Sequence, residues 1–261
     1  GRMAVVRPKT RYAGSGGAVY DEIGLTYAAT RSPDPRIAAA ILDALGDARS
    51  VVNVGAGTGA YEPVDREVVA VEPSGAMIAQ RGPDAAPAIQ ASAEQLPFVD
   101  NSFDAALAVN TVHHWSDLRG GLRELRRVAR TRVVIFLRNP RSGIAFWLAD
   151  YLPELEPADR IASIVAAIEE ELGPLRTICV PLPRDCVDGL FTAYWARPEL
   201  YLDPDVRRNI SNFALAPAEA VAEGLARLEA ELDSGTWDSR YGHFRALPAV
   251  DLGQRILVAT L

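Results

Sequence analysis

Three glycines and one glutamate have the spacing most suited to chemistry in this 261-residue chain. Residues 51–59 read V-V-N-V-G-A-G-T-G, a short β-branched strand running into Gly55, Gly57 and Gly59. Glycine serves where backbone takes positive φ or must touch a ligand. In a doubly wound sheet, ligands sit beyond the carboxyl ends of the strands, where this turn falls. A second β-branched run, 67–71, ends on Glu72. A carboxylate there can accept from both hydroxyls of a ribose without offering a competing donor. The glycine spacing also approaches the dinucleotide pattern G-x-G-x-x-G, with Ala60 standing in for the last glycine. However, Pro63 follows too soon for a full helix at the turn, and Glu72 arrives only thirteen residues after Gly59. A long phosphate-binding helix hardly fits.

A proton acceptor is also available. His113 and His114, two of the three histidines, stand just past a buried-strand pattern at 102–109. Neutral imidazole is a suitable general base near pH 7, although both rings could equally pack structurally beside Trp115. Phe191, Tyr194, Trp195, Tyr201 and Phe213 form an aromatic cluster that suits either a cationic ligand or a simple core. There is no G-x-S-x-G elbow, no H-E-x-x-H and no P-loop lysine. Arg138-Asn139-Pro140 does not match the N/D-P-P-Y/F signature of amino-directed nucleic-acid methyltransferases. Two cysteines and three histidines make neither a disulfide framework nor a zinc site, so no metal is expected.

Alternating strands and helices must position these groups. Asp34 caps a helix with Pro35 at its first position and Ile37, Ile41, Leu42 and Leu45 on one stripe. Strand patterns at 50–54, 67–71, 102–109 and 132–137 alternate with helical ones at 74–81 and 118–130, which implies βαβ units and a mostly parallel sheet. A helix over 158–172 and a strand over 176–180 follow, then an almost wholly helical 188–233 and a last strand at 255–261. The expected organisation is an N-terminal lid (1–34), a Rossmann-like core (35–184), a helical cap (185–248) and a final core strand (249–261).

Composition narrows the partners. Lys and Arg number 27 against 34 Asp and Glu, a formal charge of −7, which argues against nucleic acid. Arg123, Arg126, Arg127, Arg130 and Arg132 read as the solvated face of an amphipathic helix. No apolar run approaches the ~18 residues of a membrane span, and the first nine residues lack a signal-peptide core, so the cytoplasm is the expected location.

Five segments together resemble the class I S-adenosylmethionine-dependent methyltransferases, in the small-molecule, type 11-like branch. They are Y-D-E-I-G-L-T-Y-A-A-T-R (20–31), V-V-N-V-G-A-G-T-G-A-Y (51–61), V-V-A-V-E-P-S-G-A-M-I (68–78), A-S-A-E-Q-L-P-F-V-D-N-S-F-D (91–104) and A-V-N-T-V-H-H-W-S-D-L (108–118). The resemblance implies that Gly55, Ala56, Gly57 and Gly59 line the methionine part of the cofactor and that Glu72 takes its ribose. Pro73 and Met77 would meet the adenine edge, with Ala93 and Glu94 flanking the ring. Ser92 stands where the family often has an acid, and makes a weaker acceptor. Asn110 would lie near the cofactor backbone, and Tyr20, Tyr27 and Arg31 would form a lid over its carboxylate. The resemblance covers about residues 20–130; the rest would be the variable cap over a small-molecule acceptor. The expected fold is thus a doubly wound, mostly parallel sheet with N-terminal lid helices and a helical cap before the last strand. The alternatives are an NAD(P)-dependent oxidoreductase, a non-catalytic S-adenosylmethionine-binding protein and, less favoured by the acidity, an RNA methyltransferase.

Overall fold

The computed structural model describes residues 32–156 and 158–261. The positions expected to form the lid, Tyr20, Tyr27 and Arg31, lie outside the described residues. Helix α1 (Pro35–Leu45) begins as its sequence dictates: the Asp34 carboxylate accepts from the Arg36 N–H at 3.0 Å, and Pro35 sits in the first turn.

Five parallel strands follow: β1 (Ser50–Val54), β2 (Glu67–Val71), β3 (Ala88–Ile89), β4 (Phe103–Val109) and β5 (Ala129–Arg138). The chain then forms β6 (Leu175–Cys179) and ends on β9 (Gln254–Thr260), which inserts antiparallel between β5 and β6. The sheet order is β3-β2-β1-β4-β5-β9-β6; β7 (Leu182–Pro183) and β8 (Ala249–Val250) pair separately.

Period-two alternation sends neighbouring residues to opposite faces. Val51, Ala105, Leu107, Val134, Phe136, Ile256 and Val258 join one cluster with Ile37, Ile41, Ala44 and Leu45 of α1. Val52, Ala106, Ala108, Val133, Ile135, Leu257 and Ala259 join the other. That second face is covered by Leu122, Leu125 and Val128 of α3 (Leu118–Val128) and by Ile164, Ile168 and Leu172 of α4 (Ala158–Leu172). A short α2 (Gly75–Ala79), capped by Ser74, follows β2.

Two expectations need correction, on the helix before β5 and on the region 188–233, and one, the missing helix after the glycine turn, holds. The helix before β5 stops at Val128, because Ala129 already pairs with Phe103 across the sheet; Arg130 and Arg132 therefore lie on a strand, not on the helix face. No helix follows the glycine turn: residues 55–66 form turns and bends. The region 188–233 is not continuously helical. Residues 191–196 form turns, and Pro198, Pro204 and Pro217 divide the rest into a 3₁₀ turn (Pro198–Leu202), α5 (Pro204–Arg208), α6 (Ser211–Leu215) and α7 (Ala218–Asp233). α8 (Thr236–Tyr241) completes this inserted layer.

The inserted layer recruits a segment that the sequence reading assigned to the core. Phe146, Trp147 and Tyr151, just after β5, pack with Trp195, Tyr201 and Trp237 in the α1-side cluster. Trp147 Nε1 donates to the Trp195 carbonyl at 2.8 Å, and its ring stands 5.1 Å from that of Trp237. Gly224 of α7 lets the helix approach this segment closely: an added Cβ would lie 2.3 Å from Leu152 Cδ2 and 2.4 Å from the Tyr151 carbonyl oxygen. Helix propensity alone would favour Ala there by about 1 kcal/mol. The clash reverses the sign. Gly224→Ala is expected to destabilise by roughly 1–3 kcal/mol, read as a lower thermal midpoint; a raised midpoint would contradict this packing.

Candidate cofactor and active site

The glycine turn is held from three sides. Gly55 and Ala56 both donate their N–H to the Val71 carbonyl, at 2.8 and 3.1 Å, which docks the turn on the end of β2. Gly55 has φ +70°, and a Cβ there would meet Thr111 Oγ1 at 2.0 Å, so β4's continuation allows only glycine. Glu72 is 6% exposed. One of its oxygens accepts from the Gly57 N–H at 2.8 Å and the other from the Ser74 N–H at 2.9 Å. The acid at the end of β2 therefore clasps the glycine turn of β1 directly. Met77 reaches the same turn, its Cε 3.2 Å from where a Gly57 Cβ would stand.

Behind the turn lies a buried ion pair that the sequence reading missed. Arg81 Nη2 bonds both Glu62 oxygens at 2.6 Å, and the two side chains are only 5% and 6% exposed. Arg81 Nη1 donates to the Gly57 carbonyl at 3.0 Å, while Glu62 accepts from Asn53 Nδ2 and the Ala86 N–H, each at 3.1 Å. This network fills the place a first crossover helix would take. The one hint in the sequence was the short, helix-free connector; which charges met behind it depended on the β1–β2 register.

The remaining candidates fall around the same edge. Ala93 is buried in the α3–α4 side core, Ser92 is exposed, and Pro73 is exposed. The Glu94 carboxylate accepts from Ser116 Oγ at 2.9 Å and the Asp117 N–H at 3.1 Å, tying the loop after β3 to the loop after β4. Burial works against its charged form, but these hydrogen bonds outweigh it and hold the carboxyl below its ordinary value. Asn110 ends β4 in a left-handed conformation, φ +50°, with its N–H on the Phe136 carbonyl. Its Nδ2 is buried and has no hydrogen-bond partner among the described residues. A buried donor without a partner is destabilising by roughly 1–3 kcal/mol, which a polar ligand at this edge would offset.

His113 and His114 occupy a 3₁₀ turn (Val112–His114), partly buried, with ring centroids 3.9 Å apart. They sit toward α4, where Arg160 donates to the His113 carbonyl at 2.6 Å. Desolvation first, then the Arg160 charge, lowers His113 to about 4. Desolvation, the neighbouring imidazole and Arg160 lower His114 to about 3. Both rings are therefore neutral at pH 7 and weak as bases. Because the folded pKa values lie below the unfolded 6.5, the unfolded chain binds more protons between about pH 6.5 and 3. Stability contributed by the neutral pair is thus full above pH 6.5 and drains as pH falls through that window. Replacing both by Gln should flatten the fall in thermal midpoint over that range; an unchanged slope would contradict the assignment.

The described residues also form an open hollow of about 620 Å³ at the opposite sheet edge, lined by Arg49, Arg66 and Asp104 among others. Several of its charges are matched: Asp104 holds Arg130 and the Arg49 and Ser50 N–H groups, and Arg66 pairs with Asp65. It lies at the far end of the strands from Glu72.

The strand order, with an antiparallel strand between β5 and β6, and an acid-clasped glycine turn without a phosphate-binding helix, define a class I methyltransferase fold rather than a dinucleotide-binding one. Residues 52–137 match the family model described as "Methyltransferase domain", type 11. A solved structure from Anabaena variabilis, provisionally assigned as a methyltransferase of an antibiotic biosynthesis pathway, is 35% identical, with a TM-score of 0.81 over 89% of this chain and 99% of that one. The uncharacterized methyltransferase YcgJ of Bacillus subtilis is 33% identical over 91 residues, 31% of this chain; the match spans only 36% of that relative's length. Phosphoethanolamine N-methyltransferase 2 of Haemonchus contortus, solved with S-adenosylhomocysteine, shares the fold at 13% identity, with a TM-score of 0.53 over 95% of this chain and 60% of that one. The chain belongs to the class I S-adenosylmethionine-dependent methyltransferases.

Proposed function

We propose that this protein transfers the methyl group of S-adenosylmethionine to a small-molecule acceptor. The observation that carries the reading is the Glu72 carboxylate clasping the Gly57 N–H at the carboxyl edge of β1 and β2. Gly55, Ala56, Gly57 and Gly59 would line the amino-acid end of the cofactor. Glu72 would hold the ribose through its carboxylate. Pro73, Met77, Ser92, Ala93 and Glu94 would border the adenine. Asn110 would use its buried amide, and Tyr20, Tyr27 and Arg31 would close the lid.

Bound S-adenosylmethionine supplies an already activated methyl on a sulfonium. The protein's task is then to align the acceptor in line with that bond and to exclude water, effects worth roughly 7–11 kcal/mol in favourable systems. The layer inserted between β7 and β8 packs in the α1-side cluster and would provide such a cover. The depressed histidines suit an acceptor that loses its proton readily, with His113 or His114 as hydrogen-bond partner rather than strong base.

A small acceptor is favoured by charge. Arg119 and Arg123 are tied to Glu171, and Arg127 to Glu124 and Asp100, so the arginines near α3 do not form an open phosphate track. No helix among the described residues is long and apolar enough to cross a membrane. A cytoplasmic location is part of this proposal. The test is calorimetric titration with S-adenosylhomocysteine, followed by labelled-methyl transfer to a panel of small phenols, amines and carboxylic acids, with bulk RNA as control. Micromolar binding with small-molecule labelling is expected. Absence of binding, or labelling of RNA alone, would overturn the proposal.

A further inference from the structure

We infer that the carboxyl end of β5 and the start of β9 form an acceptor subsite for a carboxylate on an aromatic or apolar body, with Arg138 as its specificity-determining residue. This rests on the methyltransferase reading above and names the acceptor chemistry that reading leaves open.

Arg138 and Gln254 are direct cross-strand partners, so their side chains share one face. It is the face of Phe136 and Ile256, on which the inserted layer packs. Arg138 Nε donates to the Leu252 carbonyl at 2.8 Å, and Nη1 pairs with Glu156. Nη2 is buried and has no hydrogen-bond partner among the described residues. Gln254 is 3% exposed; its Nε2 donates to Thr192 Oγ1 at 2.7 Å and its Oε1 has no partner among the described residues. The Thr192 hydroxyl can donate as well as accept, so the amide can turn and present its N–H groups to an oxygen. With Asn110 Nδ2 at the end of β4, three neighbouring strands thus carry buried polar atoms without partners at one edge.

Such a row does not serve packing, since apolar side chains of similar volume would pack there without stranding polar groups. The β4 end of the row lies beside the cofactor site; the β5–β9 end lies under the inserted layer. Phe146 and Phe191 flank the guanidinium, each ring centroid 5.9 Å from Cζ, and supply an apolar wall. Burial leaves the guanidinium short of solvation while it stays protonated at neutral pH. Its remaining N–H groups therefore favour a charged oxygen over a neutral one, because charge-assisted hydrogen bonds are about twice as strong.

The test uses the full chain saturated with S-adenosylhomocysteine and two probes, benzoate and its neutral isostere benzamide, followed by saturation-transfer NMR titration. Wild type should favour benzoate by about tenfold, as one charge-assisted bond predicts. Arg138→Gln should erase that preference while S-adenosylhomocysteine affinity stays within about twofold of wild type, within the usual spread for an untouched site. Equal binding of both probes to wild type, or a benzoate preference that survives Arg138→Gln, would overturn the subsite. If Arg138→Gln no longer binds S-adenosylhomocysteine, Gln254→Glu decides. A carboxylate there should exclude benzoate and spare benzamide; unchanged benzoate binding would overturn the proposal. Failure of the wild type to bind S-adenosylhomocysteine would instead remove the methyltransferase reading, and this one with it.

Discussion

Glu72→Ala is expected to weaken S-adenosylhomocysteine binding by about 100-fold, equivalent to roughly 2.7 kcal/mol, in a calorimetric titration. Two effects add. The first is loss of the ribose acceptor, since hydrogen bonds to a charged group contribute about 1.5–3 kcal/mol. The second is local: both carboxylate oxygens accept backbone N–H groups, from Gly57 and Ser74, so the turn itself loosens. Glu72→Gln separates charge from shape. An amide offers one acceptor oxygen and turns its NH₂ toward the other backbone donor, so this near-isosteric change should still weaken binding by about tenfold or more. If affinity in both variants stays within about twofold of wild type, where the loss of even one such bond should register, the ribose assignment fails. A thermal midpoint recorded on the same samples distinguishes lost binding from lost folding.

Arg81→Met should give the largest loss of stability outside the hydrophobic core. It strands the Glu62 carboxylate, 6% exposed, with, among the described residues, the Asn53 amide and the Ala86 N–H to hold it. Removing one partner of a buried pair typically destabilises by 3–5 kcal/mol, and for a chain of this size that lowers the thermal midpoint by roughly 10 °C. The double variant Arg81→Met, Glu62→Gln should recover part of the loss, because a neutral amide is less costly to bury than an uncompensated charge. The same variants probe function. Arg81 also holds the Gly57 carbonyl, so S-adenosylhomocysteine affinity should fall along with stability. A midpoint within a degree or two of wild type would show that the pair does not support the turn.

These two predictions differ in how far the sequence alone could have led to them. Glu72 was legible: a carboxylate one residue past a β-branched run, downstream of a glycine turn, belongs at the edge where ligands bind. The Glu62–Arg81 pair was not. The two residues are nineteen apart, each reads as an ordinary surface charge, and only the packing of α2 beneath the glycine turn brings them together. Local signals were reliable where one dominated. Asp34-Pro35 started α1, the β-branched runs became β1 and β2, and the α4 pattern fell within its residues.

Local pattern failed where it competed with tertiary pairing or with proline. Helical spacing carried on past Val128, but the chance for Ala129 to pair with Phe103 took the next residues into β5. Apolar content over 188–233 looked helical, but the prolines broke it into short pieces held by aromatic contacts. The histidines were visible as candidate bases, but their desolvation, which weakens them as bases, came from neighbours far along the chain. Arg138 looked like a departure from a motif until the antiparallel register of β9 set it opposite Gln254. The sequence by itself determined the fold class and the edge where the glycine turn meets its acid, because strand periodicity, glycine turns and a terminal acid are local properties. The ion pair behind the turn, the protonation of the histidines and the polar row under the inserted layer were decided only by tertiary structure. Burial and charge pairing depend on which distant residues share a face, and no short stretch of sequence encodes that.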